Sequence, residues 1–354
     1  MAQHYWESAP GDSTDASLSR LLKRQSISRE ATENEAGVRY LGTSDKVRSE
    51  SVCRRWHRLL IHSYKTMVHL DIAEFMECTY STYFQQDNLS FEPTMIGLLS
   101  HFGGNLVSLS MGSKWFKLSL EIVNAIQEYC HSLLYIDFSC CIINTSLTQL
   151  CEQLAPQLLS LDLSDSCWTS AEYMEEFLDS LSGITNLHIL NLRCVRSTSF
   201  NWLLTLPASL HHLNLNGAAK LEPDELCGFL LWHENLKSLR LSGFHNLNQN
   251  TLEVLGRTES LKILEISNVY KECLDLAPLA NLGDLEELYL QQNNSAKCEA
   301  MTTICGELKN LRILNLTACK FFKDFSQLTH CHNLQELILG QTPHLVDSDL
   351  EGIA

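Results

Sequence analysis

The chain of 354 residues carries 42 acidic against 26 basic residues, a formal charge of −16, and is 45% hydrophobic, ample for a sizeable core. From residue 100 onward 29 Asp and Glu face 15 Lys and Arg, which disfavours general binding to nucleic acid or to an anionic membrane. Fourteen scattered cysteines behind a polar start predict reduced thiols in a cytoplasmic or nuclear protein rather than a disulfide framework, and no run approaches the ~18 apolar residues of a membrane span.

Residues 1–37 are rich in Ser, Thr, Asp, Glu and Gly without apolar periodicity, the composition of a disordered tail. Residues 38–66 differ. Here Arg39, Lys46, Arg48, Arg54, Arg55, Arg58 and Lys65 stand against Asp45 and Glu50, a local charge of +5. Val47, Val52, Trp56, Leu59 and Leu60 recur near one helical turn apart. That spacing predicts an amphipathic helical segment, with Ser44 as its N-cap.

From Met67 the chain becomes repetitive. The phrase Leu-x-x-Leu-x-Leu, with Ile, Phe or Met replacing a later Leu, begins at Leu106, Leu133, Leu158, Leu187, Leu210, Leu236, Leu261, Leu285, Leu311 and Leu334. Met67-Val-His-Leu70-Asp-Ile72 opens an irregular first copy, and Leu345 to Ala354 begins a helix and stops. Residues 67–354 are therefore expected to hold about 11 repeats, the last incomplete. A period of 23 to 29 residues predicts a stacked array in which no unit buries its own apolar face. In each unit the phrase predicts a short strand. The stretch behind it predicts an amphipathic helix, as in Leu147-Thr-Gln-Leu150-Cys-Glu-Gln-Leu154 and Tyr173 to Leu181. Strands stack about 4.8 Å apart while helices need roughly 8–10 Å. The expected fold is thus an α/β solenoid curved as a horseshoe, with a parallel sheet on its concave side and helices on its convex side.

The repeats resemble the cysteine-containing subclass of leucine-rich repeats, which places a Cys or small residue three positions before the first Leu and another Cys at the ninth. Cys130, Leu133 and Cys141 fit both places; Cys331 before Leu334 fits the first, and Cys319 after Leu311 the second. Elsewhere the ninth place holds Ser166, Val195, Ala218, Phe244, Val269 or Asn293. The site is a tight interior corner where a small or thiol side chain fits and bonds neighbouring backbone. That subclass is best known from F-box/leucine-rich-repeat proteins, the substrate receptors of Skp–cullin–F-box ubiquitin ligases. The run from Val38-Arg-Tyr-Leu41 to Val52-Cys53-Arg54-Arg55-Trp56-His-Arg-Leu59 resembles the second half of an F-box. The Leu-Pro-x-Glu turn and apolar helix of the first half have no counterpart in polar residues 29–37. The resemblance implies that Leu41, Val47, Val52, Cys53, Arg55, Trp56 and Leu59 dock the acidic Skp adaptor and, through it, cullin. It also implies that the repeats hold an unidentified protein substrate for ubiquitin-dependent degradation, and that the chain is a non-catalytic subunit without cofactor. The alternative is a leucine-rich-repeat scaffold or inhibitor that does not bind the adaptor.

Strand alternation sends the leucines of each phrase to the core and its third, fifth and seventh positions to the concave face. The candidate partner-binding residues are Tyr135, Asp137, Asp162, Asn191, Arg193, His212, Asn214, Arg240, Glu265, Glu287 and Tyr289, with Ile189, Asn315, Glu336 and Ile338 beside them. Arg193, His212 and Arg240 lie on strands about 5–10 Å apart. They form either a basic island for an acidic or phosphorylated segment or a ladder neutralised by Asp162 and Glu265. Tyr135, Tyr289, Trp115, Trp168 and Phe244 are the expected aromatic anchors, whereas Trp202 and Trp232 are expected in the core. His330-Cys331-His332 does not have metal-site spacing, because adjacent residues cannot all turn to one ion. No Cys-x-x-Cys, Gly-rich phosphate loop, His-Glu-x-x-His or Gly-x-Ser-x-Gly occurs.

Overall fold

A computed structural model describes residues 67–72 and 92–346, apart from 114, 115, 271–273, 297, 321 and 324. The expected tail, residues 38–66 expected to be helical with their proposed docking residues Leu41, Val47, Val52, Cys53, Arg55, Trp56 and Leu59, and the expected anchor Trp115 lie outside the described residues. In chain order the strands are β1 (His69–Asp71), β2 (Ser108–Ser110), β3 (Lys117–Leu118), β4 (Tyr135–Asp137), β5 (Ile142–Ile143), β6 (Ser160–Asp162), β7 (Cys167–Trp168), β8 (Ile189–Asn191), β9 (His212–Asn214), β10 (Ser238–Arg240), β11 (Ile263–Glu265), β12 (Glu287–Tyr289), β13 (Ile313–Asn315) and β14 (Glu336–Ile338). Eleven of them, all but β3, β5 and β7, form one sheet whose order follows the sequence. All its pairings are parallel, and the short β3, β5 and β7 make a second parallel ladder beside it.

Each strand of the long sheet occupies the third to fifth positions of its phrase, and pairing keeps those positions in register. Tyr135 lies opposite Ser160, Asp162 opposite Asn191, and Arg240 opposite Glu265. Like positions therefore stack into columns running the length of the array. The fourth-position column is apolar and buried, with Leu161, Leu213, Leu264 and Leu314 at most 2% exposed. The backbone ladder continues past each strand. Phe138 N–H donates to the Asp162 carbonyl and Cys140 N–H to that of Ser164, both at 2.8 Å. At the end of the described sheet only β13 pairs with β14, and Leu337 and Leu339 are half-buried where Leu314 and Leu316 are wholly buried.

The far side of each repeat follows its length. Intervals of 25 residues or more carry an α-helix: α2 (Leu120–Tyr129), α3 (Thr148–Leu154), α4 (Ala171–Ser180), α5 (Pro223–Trp232), α6 (Gln249–Leu255) and α7 (Cys298–Glu307). A further helix, α1 (Glu92–Phe102), precedes β2. The intervals of 23 or 24 residues carry instead the 3-10 segments Asn201–Thr205, Ala277–Asn281 and Phe325–His330. The expectation of an amphipathic helix in every unit is corrected at these three. A 3-10 helix advances about 2.0 Å per residue against 1.5 Å for an α-helix, so a shorter return spans the same distance. Ser119, Ser170 and Asn248 cap α2, α4 and α6 by accepting from backbone N–H groups, as N-caps do. Among the described residues, no helix is long and apolar enough to cross a membrane.

Two corner positions recur. The eighth residue of nine successive phrases is left-handed: Cys140, Asp165, Cys194, Gly217, Gly243, Asn268, Gln292, Ala318 and Gln341, with φ between 54° and 83°. This turn directs the next side chain, at the ninth position, into the array. Cys141 Sγ donates to the Met111 carbonyl at 3.1 Å and Cys319 Sγ to that of Leu290 at 2.9 Å. Asn293 Nδ2 donates to the Ile266 carbonyl at 3.1 Å. Each acceptor is the sixth-position carbonyl of the preceding repeat, so thiol and amide perform one task.

Candidate partner-binding face

The open face of the sheet is built from the third-, fifth- and seventh-position columns. The fifth-position column is occupied by internal work. Asp137, Asp162, Asn191, Asn214 and Asn315 each accept, through a side-chain oxygen, the N–H of the residue two places on, at 2.8–3.3 Å. That N–H falls between the sixth- and eighth-position donors, which bond the next repeat, so a short side chain with an acceptor completes the turn. Asp137 also accepts from Ser110 Oγ, and Asp162 from Asn191 Nδ2, both at 2.8 Å.

Further along, the polar groups join into a network. Glu265 Oε2 accepts from Arg240 Nη1 at 3.1 Å and from Asn216 Nδ2 at 3.0 Å. The Arg240 guanidinium lies 5.3 Å from the Tyr289 ring centroid, and Tyr289 donates its hydroxyl to Glu287 at 2.9 Å. Burial, with Glu287 next, raises the Tyr289 phenol above its ordinary value. Arg193 pairs with Asp165 at 3.4 Å in an exposed contact, the kind worth little to stability. Burial, followed by the charges of His211, Lys237 and His188, lowers the His212 pKa. The three residues of the basic island are thus an arginine on Glu265, an arginine on Asp165 and a histidine that resists protonation.

The third-position column is freer. Tyr135 and Ile189, separated by Ser160, are 41% and 40% exposed, so two large apolar groups face solvent on a polar, hydrogen-bonded floor. Glu336 and Ile338 lie on β14. Sequence reasoning passed over the second-position column at the sheet's entry edge. There the His188 and His211 rings stack at 5.1 Å, 4° from parallel. Lys262 and Arg312 approach Glu286 at 2.7 and 3.7 Å. This column was findable, since second positions alternate with the third in the same phrase.

Phe244 is a core residue, 2% exposed, because its ninth position turns inward. Trp232 is 77% exposed and no part of the core: Leu226, Phe229 and Leu230 already fill the inner face of α5. Trp202 is buried, as the sequence suggested, though its indole N–H meets no acceptor. Cys331 is buried against Cys305 while His330 and His332 are exposed, so those three side chains do not converge.

Stacked Leu-x-x-Leu-x-Leu strands with a ninth-position Cys or Asn define a leucine-rich-repeat protein. No family model matches the sequence. Among curated proteins, a 122-residue stretch is 30% identical to antagonist of mitotic exit network protein 1 of Candida glabrata. The match covers 32% of this chain and 23% of that protein, so it spans less than a quarter of the relative's length. Similar solved structures include an internalin (inlF) of Listeria monocytogenes, 16% identical over 82% of this chain and 81% of that one, with a TM-score of 0.48. Another is the leucine-rich-repeat protein LegL7 of Legionella pneumophila, 20% identical over 69% and 86%, TM-score 0.40. The Leptospira interrogans protein LIC12759 is 17% identical over 92% and 90%, TM-score 0.37.

Proposed function

We propose that the chain is a protein-binding receptor: the open sheet face holds a target, and residues 38–65 attach it to the Skp adaptor of a Skp–cullin–F-box ubiquitin ligase. For target binding the carrying observation is the exposed pair Tyr135 and Ile189 above hydrogen-bonded Asp137, Asp162 and Asn191. A face whose polar groups are already oriented loses little side-chain freedom on binding, and Tyr is a favoured anchor. For adaptor binding, support comes from Val52-Cys53-Arg54-Arg55-Trp56 in a segment of charge +5, shortly before the first repeat. Positive charge there suits an acidic partner. In this reading the chain performs no chemistry. It raises the effective concentration of target lysines near a cullin-bound conjugating enzyme, and the target is degraded by the proteasome.

A second reading is favoured by the stretch shared with a protein named as an antagonist: a scaffold that binds and inhibits its target without an adaptor. Co-purification of the Skp adaptor separates the two. The ligase reading expects the adaptor with the wild type and its loss with Val52→Asp plus Trp56→Asp. No adaptor with the wild type rejects it and leaves the scaffold.

A further inference from the structure

The longest repeat adjoins one of the shortest. From Leu158 to Leu187 is 29 residues, and from Leu187 to Leu210 only 23. The long unit builds β7 and α4; the short one adds neither a strand to that small sheet nor an α-helix. The ladder β3–β5–β7 therefore ends at β7, and α4 meets a thinner neighbour. Between them lies a cavity of ≈430 Å³, inside the range of about 300–1,000 Å³ usual for small-ligand pockets.

Its inner wall is apolar, from Leu163, Leu192, Trp168, Met174 and Phe177. Two contacts hold the walls in place. Ser197 Oγ, Thr198 N–H and Thr198 Oγ1 donate to the two Glu175 carboxylate oxygens on α4 at 2.9–3.0 Å, tying the loop beyond Arg196 to the helix. On the other side the Trp168 ring rests 5.4 Å from that of Phe177. The rim is charged unequally. Asp165 is already engaged by Arg193, while Arg196 is exposed and has no carboxylate partner among the described residues. An exposed guanidinium outside any ion pair among the described residues thus stands at the edge of an apolar recess, with Asp165 on the same lining but held by Arg193.

We propose that this cavity binds an organic anion with an apolar aryl or alkyl body, its carboxylate meeting Arg196 and its body lying against Trp168 and Leu192. Guanidinium–carboxylate contacts are charge-assisted and strong for their size, and burial of the body supplies the remaining affinity. The probes are 2-naphthylacetate and its neutral analogue 2-naphthylethanol. They are titrated into the full chain labelled at its methionine methyls, and the Met174 signal is assigned with Met174→Leu. Saturable movement of the Met174 signal is expected with both. Because Arg196 is exposed, Arg196→Ala should weaken the acid about threefold and leave the alcohol unchanged. Ala171→Trp, at an exposed position on the cavity wall, should abolish binding of both; Val195→Phe fills the space from the opposite wall should the first variant not fold. The proposal is overturned by a Met174 signal that does not saturate, by an acid-to-alcohol ratio that Arg196→Ala leaves unaltered, or by a folded filled variant that binds like the wild type.

Discussion

Seven of the nine left-handed corners are made by residues other than glycine, and each opposes the preference of an L-amino acid by about 1–2 kcal/mol. Ala318 has no polar side chain to offset that strain. Ala318→Gly should therefore raise stability by about 1 kcal/mol, after the added freedom of the unfolded chain is allowed for, seen as a higher urea midpoint. The acceptors of the fifth-position column should behave in the opposite sense. Asp162→Ala strands the Ser164 N–H and the Asn191 amide, so a loss of about 1–2 kcal/mol is expected, while Asp162→Asn keeps an acceptor and should lose less. His212 supplies a pH dependence. Its folded pKa lies below the unfolded value of about 6.5, so the folded state binds its proton less readily. Its contribution is complete above that value and is lost as pH falls toward the folded pKa. Urea midpoints of the wild type should decline from pH 7 to pH 5 more steeply than those of His212→Gln.

Repeat length decides the far wall, and ninth-position chemistry decides the corner. Because Cys319 and Asn293 donate to equivalent carbonyls, Cys319→Asn should fold with little loss. Cys319→Ala should lose about 1 kcal/mol or more by leaving the Leu290 carbonyl without its donor. Thermal melts of the two variants decide it. Burial pushes the Cys130, Cys141 and Cys151 thiols up to about 12 and Cys319 to about 11, and only a thiolate attacks an electrophile. Iodoacetamide should therefore modify exposed Cys167 in the native protein, and these four only after unfolding. Peptide mass mapping at neutral pH reads both classes.

In a stacked array each unit contacts only its neighbours, so stability is distributed along the axis. Removing an interior leucine should be severe. Leu213, 1% exposed between repeats on both sides, should lose about 2–5 kcal/mol on conversion to alanine. By contrast, among the described residues β14 has one paired edge and half-buried leucines. Hydrogen exchange should open its amides before those of β9 to β11; equal protection would contradict nearest-neighbour stability.

The array was legible because one constraint repeats. Each unit must bury its apolar face on the next, so strand register, core columns and open-face columns all follow from a phrase that can be read residue by residue. Repeat length also carries the signal for where helices thin to 3-10 segments, which the expectation of a helix in every unit misses. The occupation of the open face was legible only in part: the ladder alternative named Glu265, which Arg240 bonds, but named Asp162 where Arg193 pairs with Asp165. Alternation places Asp162, Asn191 and Arg240 on that face, but only juxtaposition with Ser164, Asp162 and Glu265 in space shows their acceptors and charges engaged. The ninth-position register already assigns Phe244 to an interior corner, against its expected role as an anchor, whereas nothing in the spacing shows that Trp232 is left outside by a filled helix face. Local pattern dictates which way a strand residue points, because that depends on backbone geometry alone. Whether the side chain is free, paired or bordering a cavity depends on neighbours more than twenty residues away, and tertiary packing alone brings those together.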